Sequence, residues 1–286
     1  MYHRGYEDKL VPFHLAEEST RILFQDLPLL EYGATVTEEV TAFRFLSGTM
    51  IWLDIMSSIT AGTAPQLLPY HNTIIPPSSQ TKLEDIMGCR NWVMLQIGRI
   101  SSLHEHKTQS LQQGDSALIP FEQTVGDISR EIQSGLAAEP SEGFSFPSCN
   151  SATITNAKSD SDPPTLVTRI FAYTASIYLH VVTHGFQKLE VLDAIISKAR
   201  RILQTQDSTH LLPALVAPLY IIGSVARQGD EEFFRHLFSS PPLLDPLLDH
   251  RGRILPILEE IWKRRQTTTS IGWGDTLDLT HDLLLL

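Results

Sequence analysis

The run of residues 166–185 constrains the fold of this chain more than any other feature. Its sequence is LVTRIFAYTASIYLHVVTHG, in which apolar side chains recur at intervals of three and four residues: Leu166, Ile170, Tyr173, Ile177 and Val181. That interval is the spacing of one face of an α-helix. The run therefore predicts a helix that lies mostly in the core. A second apolar run, residues 213–227, predicts another helix.

The remainder of the chain is predicted to form helices separated by polar or proline-rich breaks. The predicted helices span residues 7–27, 37–62, 83–107, 115–135, 165–184, 190–205, 213–227, 230–238 and 251–266. Four prolines between residues 63 and 80 predict an ordered loop. Residues 138–164 are rich in Ser, Asn, Asp and Pro and lack periodicity, which predicts an internal surface linker.

These patterns predict the fold class. We expect an all-α protein, a multi-helix orthogonal or layered bundle with one long polar linker, forming a single domain over residues 1–286. A chain of 286 residues with 42% hydrophobic residues is long enough to build one large core or two small ones.

Charge and apolar run length predict which partners the chain lacks. The formal net charge is −11 and the isoelectric point is about 5.4, so phosphate backbones and anionic lipid surfaces would repel the chain as a whole. No uninterrupted apolar run approaches the roughly 20 residues that a membrane helix needs. We therefore predict no direct nucleic-acid binding by this chain alone and no membrane partner.

Histidine, aspartate and cysteine spacings do not point to a metal site. His180 and His184 are four residues apart and could chelate one metal, but a packed histidine is the favoured interpretation. The His104-Glu105-His106 sequence has Thr108 where the H-E-x-x-H motif requires histidine. Asp160 and Asp162 are interpreted as a solvated acidic patch. Only Cys89 and Cys149 occur, which excludes a disulfide framework and favours a reducing compartment.

Nucleophile and phosphate-binding motifs are also missing. Ser224 follows Gly223, but no glycine stands two residues after it, as the G-x-S-x-G elbow requires. Gly272 and Gly274 lack the third glycine of a dinucleotide site, and no G-x-x-x-x-G-K-[ST] sequence occurs. We predict no catalytic residue, no cofactor and no metal. The chain is not expected to be an enzyme.

Several short blocks, taken in their order along the chain, resemble one protein family. The blocks are Trp52-Leu53-Asp54-Ile55-Met56-Ser57-Ser58-Ile59, Leu83-Glu84-Asp85-Ile86-Met87-Gly88-Cys89, Tyr178-Leu179-His180-Val181-Val182, Ala217-Pro218-Leu219-Tyr220-Ile221-Ile222-Gly223, Glu259-Glu260-Ile261-Trp262-Lys263-Arg264-Arg265, and Trp273 with the terminal Leu283-Leu284-Leu285-Leu286. They resemble the fungal-specific regulatory domain, which lies C-terminal to a zinc binuclear-cluster DNA-binding module in many fungal transcription factors.

The resemblance implies a nuclear, non-catalytic helical domain that regulates transcription. It would act through self-association, coregulator contact or a bound small-molecule effector. The zinc cluster itself needs six cysteines, so that module is absent from this chain. The match starts in mid-domain, which predicts an N-terminally incomplete domain: a divergent relative, a shortened gene product or an excised fragment. A helical interaction scaffold without a transcriptional role, or an all-α enzyme of unrecognised type, are the alternatives.

Amphipathic side chains within apolar helices are the candidates for an effector pocket, because such pockets are mostly apolar with a few orienting polar groups. The candidates are Trp52, Asp54, Trp92, Tyr178 and His180. For each of them taken singly, a core role is the alternative.

Two basic clusters and the acidic tail have both structural and functional interpretations. Lys198-Ala199-Arg200-Arg201 and Lys263-Arg264-Arg265 fall late in predicted helices, where cations interact favourably with the helix dipole. The alternative is a patch for nuclear import or an acidic partner. Residues 275–286 alternate acids with leucines, and we expect them to pack on the domain instead of forming an activation segment. Trp262 lies on an apolar stripe and is predicted to be buried.

Overall fold

The regular structure is entirely helical over the residues that the computed structural model describes: 38–76, 78–113, 118–139, 162–204, 206–245, 248–268, 270–280 and 283–285. The α-helices are α1 (Glu38–Ala61), α2 (Leu68–Ile74), α3 (Glu84–Met87), α4 (Asn91–Gln113), α5 (Leu118–Ala138), α6 (Pro163–His184), α7 (Asp193–Leu203), α8 (Val216–Ser224), α9 (Glu231–Phe238) and α10 (Ile254–Thr267). Short 3₁₀ helices span Leu189–Leu192, Gln206–Leu215, Asp249–Arg253 and Gly274–Leu279. The predicted all-α fold is confirmed.

Helix α6 is the central element of the packing. It contacts α4 and α5, which precede it, and α7 and α8, which follow it. Helices α1 and α2 pack on α4, while α9 and α10 pack together and against α8. Most side chains of α6 from Thr165 to Val182 are buried, because helices contact it on several faces. The sequence pattern predicted a helix that lies mostly in the core from one apolar face, and the structure confirms the burial and extends it to several faces.

Helix α6 also has the length and composition of a membrane-crossing helix. It alone meets both criteria within the described ranges, and 78% of its most apolar window is buried by the rest of the protein. That burial is what a core helix shows.

The loop predicted over residues 63–80 is wrong in part, because it contains α2. Pro69 occupies one of the first two positions of α2, where a missing backbone N–H costs no helical hydrogen bond. The carboxylate of Asp54, on α1, accepts hydrogen bonds from the backbone N–H groups of Gln66 at 2.9 Å and Leu67 at 2.8 Å. These contacts hold the chain where α2 begins, and proline content alone could not indicate them.

The single helix predicted over residues 83–107 is also wrong, because the chain breaks between α3 and α4. Gly88 adopts a left-handed conformation with φ of 82°, which ends α3 as glycine commonly ends helices. Asn91 then fixes the junction: its side-chain oxygen accepts from the Leu83 N–H at 2.9 Å, and its Nδ2 donates to the Thr81 carbonyl at 2.8 Å.

The boundaries of two later predictions need a similar correction. The predicted helices 190–205 and 213–227 both begin as 3₁₀ helices, Leu189–Leu192 and Gln206–Leu215. Pro213 lies inside the second of these, where an α-helix would lose a backbone donor.

The predicted helix 7–27 lies outside the described residues, as do residues 140–161 of the predicted linker 138–164. The ends of that linker prediction are wrong, since Ala138 is the last residue of α5 and Pro163 is the first of α6. Arg90 contacts both ends: its guanidinium pairs with the buried Glu139 carboxylate, and Nη2 donates to the Thr165 hydroxyl at 3.4 Å. We call this arrangement the Arg90 clasp.

The C-terminal part packs onto the core as predicted. The Trp262 side chain is buried, with 3% of the residue exposed, and its Nε1 donates to the Gly223 carbonyl at 2.8 Å. Trp273 is buried and packs edge-on against the rings of Tyr178 at 5.3 Å and Tyr220 at 6.0 Å. Leu283 and Leu285 are buried as well.

Three arginines of the two basic clusters join helices to their neighbours. Arg200 of α7 pairs with Asp230 and lies over the Phe233 ring at 5.2 Å. Arg264 binds both carboxylate oxygens of Asp278, each at 2.9 Å. Arg265 donates to the carbonyls of Ser224 at 2.7 Å and Ala226 at 2.9 Å, at the C-terminal end of α8.

Candidate functional site

Two neighbouring cavities, which we call the α4 groove, lie where α2, α4 and α5 meet. The smaller, of about 320 Å³, is lined by Leu68, Arg99, Ser102, Leu103, His106, Pro120, Phe121 and Thr124. The larger, of about 660 Å³, is lined by Asn72, Trp92, Leu95, Gln96, Arg99, Glu131, Ser134 and Gly135. Arg99 lines both. Each volume lies in the range of small-molecule sites, about 300–1,000 Å³.

Two glycines allow close packing around α4, and one of them, Gly135, lines the larger cavity. The ring of Trp92 lies so close to Gly135 that an added Cβ would stand 2.4 Å from it, which no real Cβ tolerates. At Gly98 the ring of His71, from α2, would lie 3.3 Å from an added Cβ. The small residues on α4 and α5 therefore make room for the aromatic side chains that pack against them.

The polar centre of the α4 groove is a charged network between α4 and α5. The Arg99 Nη1 donates to Glu131 Oε2 at 2.7 Å and to Gln96 Oε1 at 3.0 Å. The Gln96 Nε2 donates to the same Glu131 oxygen at 2.7 Å. Gln96 is buried, whereas Arg99 and Glu131 are partly open to solvent, with 36% and 52% of their side chains exposed. A buried amide thus orients an accessible ion pair.

One end of the larger cavity is fixed by the Arg90 clasp. The Trp92 indole Nε1 donates to Glu139 Oε1 at 3.1 Å, while the other oxygen of that carboxylate pairs with Arg90. Trp92, one of the five residues predicted for an effector pocket, therefore lines the groove with its ring held by a hydrogen bond.

Trp52 and Asp54, both on α1, take part in the packing of the fold. Trp52 packs against the hydrophobic core, and its buried Nε1 has no hydrogen-bond partner among the described residues. Asp54 holds the backbone before α2, and its carboxylate lies 3.6 Å from Nε2 of His71.

Tyr178 and His180, both on α6, also have partners of their own. Tyr178 is fully buried, its hydroxyl lies 3.3 Å from that of Ser101, and burial raises the pKa of the phenol well above its ordinary value. The His180 Nε2 lies 2.9 Å from the Gln187 carbonyl, and its ring stacks on His184 at 4.8 Å. Burial, followed by the charge of His180, lowers the pKa of His184.

The five predicted pocket residues are not joined to one another. Among the described residues, no hydrogen bond, ion pair or ring contact links any two of them. A site shared by all five remains a prediction, whereas Trp92 borders a cavity that the structure does contain.

The polar centre of the groove, which is formed by Gln96, Arg99 and Glu131, was not predicted from the sequence. Gln96 and Arg99 are three residues apart and thus share one face of a helix, a signal that the sequence does carry. The distant Glu131 could not be assigned to them without the packing of α5 on α4.

Metal binding and thiol chemistry find no support in the described part of the chain. No group of three or more His, Cys, Asp or Glu side chains there is placed to hold a metal ion. Cys89 is fully buried, and desolvation raises the pKa of its thiol well above the ordinary value. A buried thiol of this kind is inert.

Comparison with known proteins identifies a family. Residues 17–286 match the family described as "Fungal specific transcription factor domain". No solved structure matches the chain.

Several curated proteins match most of the chain. A protein of Pestalotiopsis fici, "Pestheic acid cluster transcriptional regulator 3", is 45% identical over 287 residues, covering 100% of this chain and 50% of that protein. "Transcription factor dibT" of Pestalotiopsis microspora is 27% identical, covering 83% of this chain and 40% of that protein. "Trichothecene biosynthesis transcription regulator TRI10" of Fusarium sporotrichioides is 26% identical, covering 84% and 54%. The chain spans about half the length of these relatives.

Proposed function

The chain belongs to the fungal-specific transcription factor domain family, and on that premise we propose that it is the regulatory part of a transcription regulator that controls the genes of a biosynthetic pathway. The observation that carries the proposal is the 45% identity, over the whole chain, to a relative named as the regulator of a gene cluster. A second relative is named as a regulator of trichothecene biosynthesis.

The physical character of the chain supports a regulatory and non-catalytic role. Its net charge of −11 disfavours contact with a phosphate backbone, and three arginines of its basic clusters are engaged in contacts between elements. DNA binding would then come from a module outside this chain, and the site of action would be the nucleus.

The α4 groove favours an effector-binding mode of regulation over self-association or coregulator contact alone. It combines apolar walls with one oriented ion pair, which is the usual composition of a small-molecule site. The competing proposal is a helical scaffold without a transcriptional role.

Disruption of the gene in its source fungus, followed by transcript profiling, tests the proposed function. We expect the transcripts of a set of biosynthetic genes to fall severalfold and to recover when the parent gene is returned. A returned gene carrying Trp262→Ala, which removes a buried core side chain, should not restore them. Unchanged transcripts in the disrupted strain would contradict the proposal and favour the scaffold.

A further inference from the structure

We propose that the α4 groove binds a small amphipathic carboxylic acid, with the carboxylate on the free edge of Arg99 and the apolar body in the smaller cavity. The inference rests on the proposed function only in naming this ligand as the effector. The binding itself follows from the geometry of the groove and is testable on the purified chain.

The unused donors of Arg99 supply the anion-binding group. Both hydrogen bonds of its guanidinium, to Glu131 and Gln96, leave from Nη1. Among the described residues, Nε and Nη2 of Arg99 have no hydrogen-bond partner, and the side chain lines both cavities. The Nε–Nη2 edge of a guanidinium carries two parallel N–H donors, which match the two oxygens of a carboxylate.

The network around Arg99 holds that edge in place before any ligand arrives. Gln96 is buried and contacts both partners of the ion pair, so it limits the rotamers that Arg99 and Glu131 can adopt. A receptor group that is already oriented loses less side-chain entropy on binding. The Arg99–Glu131 pair has no net charge, so the guanidinium attracts a carboxylate only at short range. The carboxylate would approach the edge of the guanidinium that Glu131 does not occupy.

The smaller cavity supplies the apolar wall. Leu68 from α2, Leu103 from α4, and Pro120 and Phe121 from α5 line it, so all three helices contribute apolar side chains. Its volume of about 320 Å³ accommodates a molecule of one or two rings. Ser102 and Thr124 at the same cavity can orient further polar groups, but neither carries a charge, and Arg99 and His106 are the ionisable residues of its lining. Of these two, Arg99 matches a carboxylate, because its Nε–Nη2 edge carries two parallel donors.

Titration calorimetry with 2-naphthoic acid, a two-ring carboxylate, tests the proposal on the purified chain. Its neutral analogue 2-naphthalenemethanol has the same rings and no charge. We expect the acid to bind with a dissociation constant below about 1 mM and the alcohol to bind at least about tenfold more weakly, because charged hydrogen bonds contribute the difference.

Two variants and a control locate the site. Arg99→Met should weaken the acid at least about tenfold and leave the alcohol within about twofold. Thr124→Trp should weaken both molecules, because it fills the smaller cavity. Arg130→Met is the matched control, since Arg130 lies on α5 in an exposed pair with Asp127 and should leave both affinities unchanged. Thermal unfolding of each variant shows that it is folded.

Three results would overturn the proposal: no binding of the acid by the parent, equal binding of acid and alcohol, or unchanged acid binding by a folded Arg99→Met variant. These results concern the groove alone. Transcript profiling of the disrupted strain would still decide the proposed function, so the two can fail independently.

Discussion

At the scale of single residues, Trp262 connects its own helix, α10, to α8 and α9 through three kinds of contact. Its ring is buried under the apolar stripe of α10, and its Nε1 bonds to a carbonyl of α8. The guanidinium of Arg235, from α9, lies 5.1 Å from the ring centre. Removal of this side chain would therefore open a cavity and take away one donor to the Gly223 carbonyl, which would keep its hydrogen bond from the Ala226 N–H at 3.0 Å.

We predict that Trp262→Ala lowers the free energy of unfolding by roughly 3–5 kcal/mol, as for other buried aromatic side chains. Lys263→Ala, its neighbour, should change it by less than about 0.5 kcal/mol, because Lys263 is exposed and its pair with Glu260 lies at the surface. Chemical unfolding of both variants measures the difference. A Trp262→Ala variant as stable as the parent would show that α10 is not packed on α8 as described.

His104 gives the fold a dependence on pH. The residue is buried on α4, and desolvation, with a smaller effect of the Lys107 charge, lowers its pKa from 6.5 to about 4. Between these two values the unfolded chain binds a proton that the folded chain does not, so stability falls as the pH falls from 6.5 towards 4. Above pH 6.5 His104 is neutral in both the folded and the unfolded chain, so the stability that is lost at lower pH is fully present there.

We predict that His104→Met removes up to about 3 kcal/mol of the stability loss that the parent suffers between pH 7 and pH 4. Unfolding in denaturant at several pH values measures it. His106→Met, on an exposed part of the same helix, is the matched control. If parent and His104→Met lose stability in parallel, His104 does not titrate as its burial requires.

At the scale of elements, the C-terminal end of α8 depends on a side chain from α10. Helix ends leave carbonyls without helical donors, and Arg265 donates to two of them near the end of α8. Burial lowers the pKa of Arg265 to about 10, so the group is still protonated at neutral pH. The same guanidinium lies 5.6 Å from the centre of the Phe186 ring.

We predict that Arg265→Met lowers the free energy of unfolding by about 2–4 kcal/mol, since it removes two hydrogen bonds from a charged donor and leaves partly buried carbonyls unpaired. Arg253→Met, at an exposed position before α10, should have little effect. Hydrogen exchange at the end of α8 distinguishes the predicted local opening from a general loss of stability. If Arg265→Met and Arg253→Met had the same free energy of unfolding, Arg265 would not stabilise the end of α8 as described.

The elements that the sequence predicted well are those whose signals are local. Helices α1 and α9 begin and end within a residue of their predicted bounds, and acidic residues mark the first turn of each. Helix α2 was missed because the carboxylate that holds its start belongs to Asp54, on another helix. The break at Gly88 had a sequence signal, because a glycine interrupts the helical pattern there. The apolar spacing on both sides of Gly88 nevertheless predicted one continuous helix.

The candidate site shows the same division between local and distant signals. Trp92 was selected from sequence for its amphipathic side chain, and it lines the α4 groove. Arg99 was not selected, because a charged residue on a helix is usually a solvated one. Its importance arises from the packing of α5, which brings Glu131 to it and leaves one edge of the guanidinium open.

At the scale of the whole molecule, charge determines what the chain can contact. With a net charge of −11, we predict that the purified chain does not bind duplex DNA sequence-selectively in the nanomolar range at about 0.15 M salt. A gel-shift or anisotropy titration with random and candidate duplexes measures this. Selective nanomolar binding would place a DNA-reading surface within this chain.

The Arg90 clasp has a consequence for how the polypeptide can be divided. Arg90 holds Glu139 and Thr165, so the two sides of residues 140–161 are fastened to one point of the core. Two separately expressed chains, residues 1–139 and 162–286, should therefore reassemble through the contacts of α4 and α5 with α6. Co-purification from a mixture measures the complementation, and Arg90→Ala should weaken it. The connecting residues could then be exchanged for a reporter domain without loss of the fold.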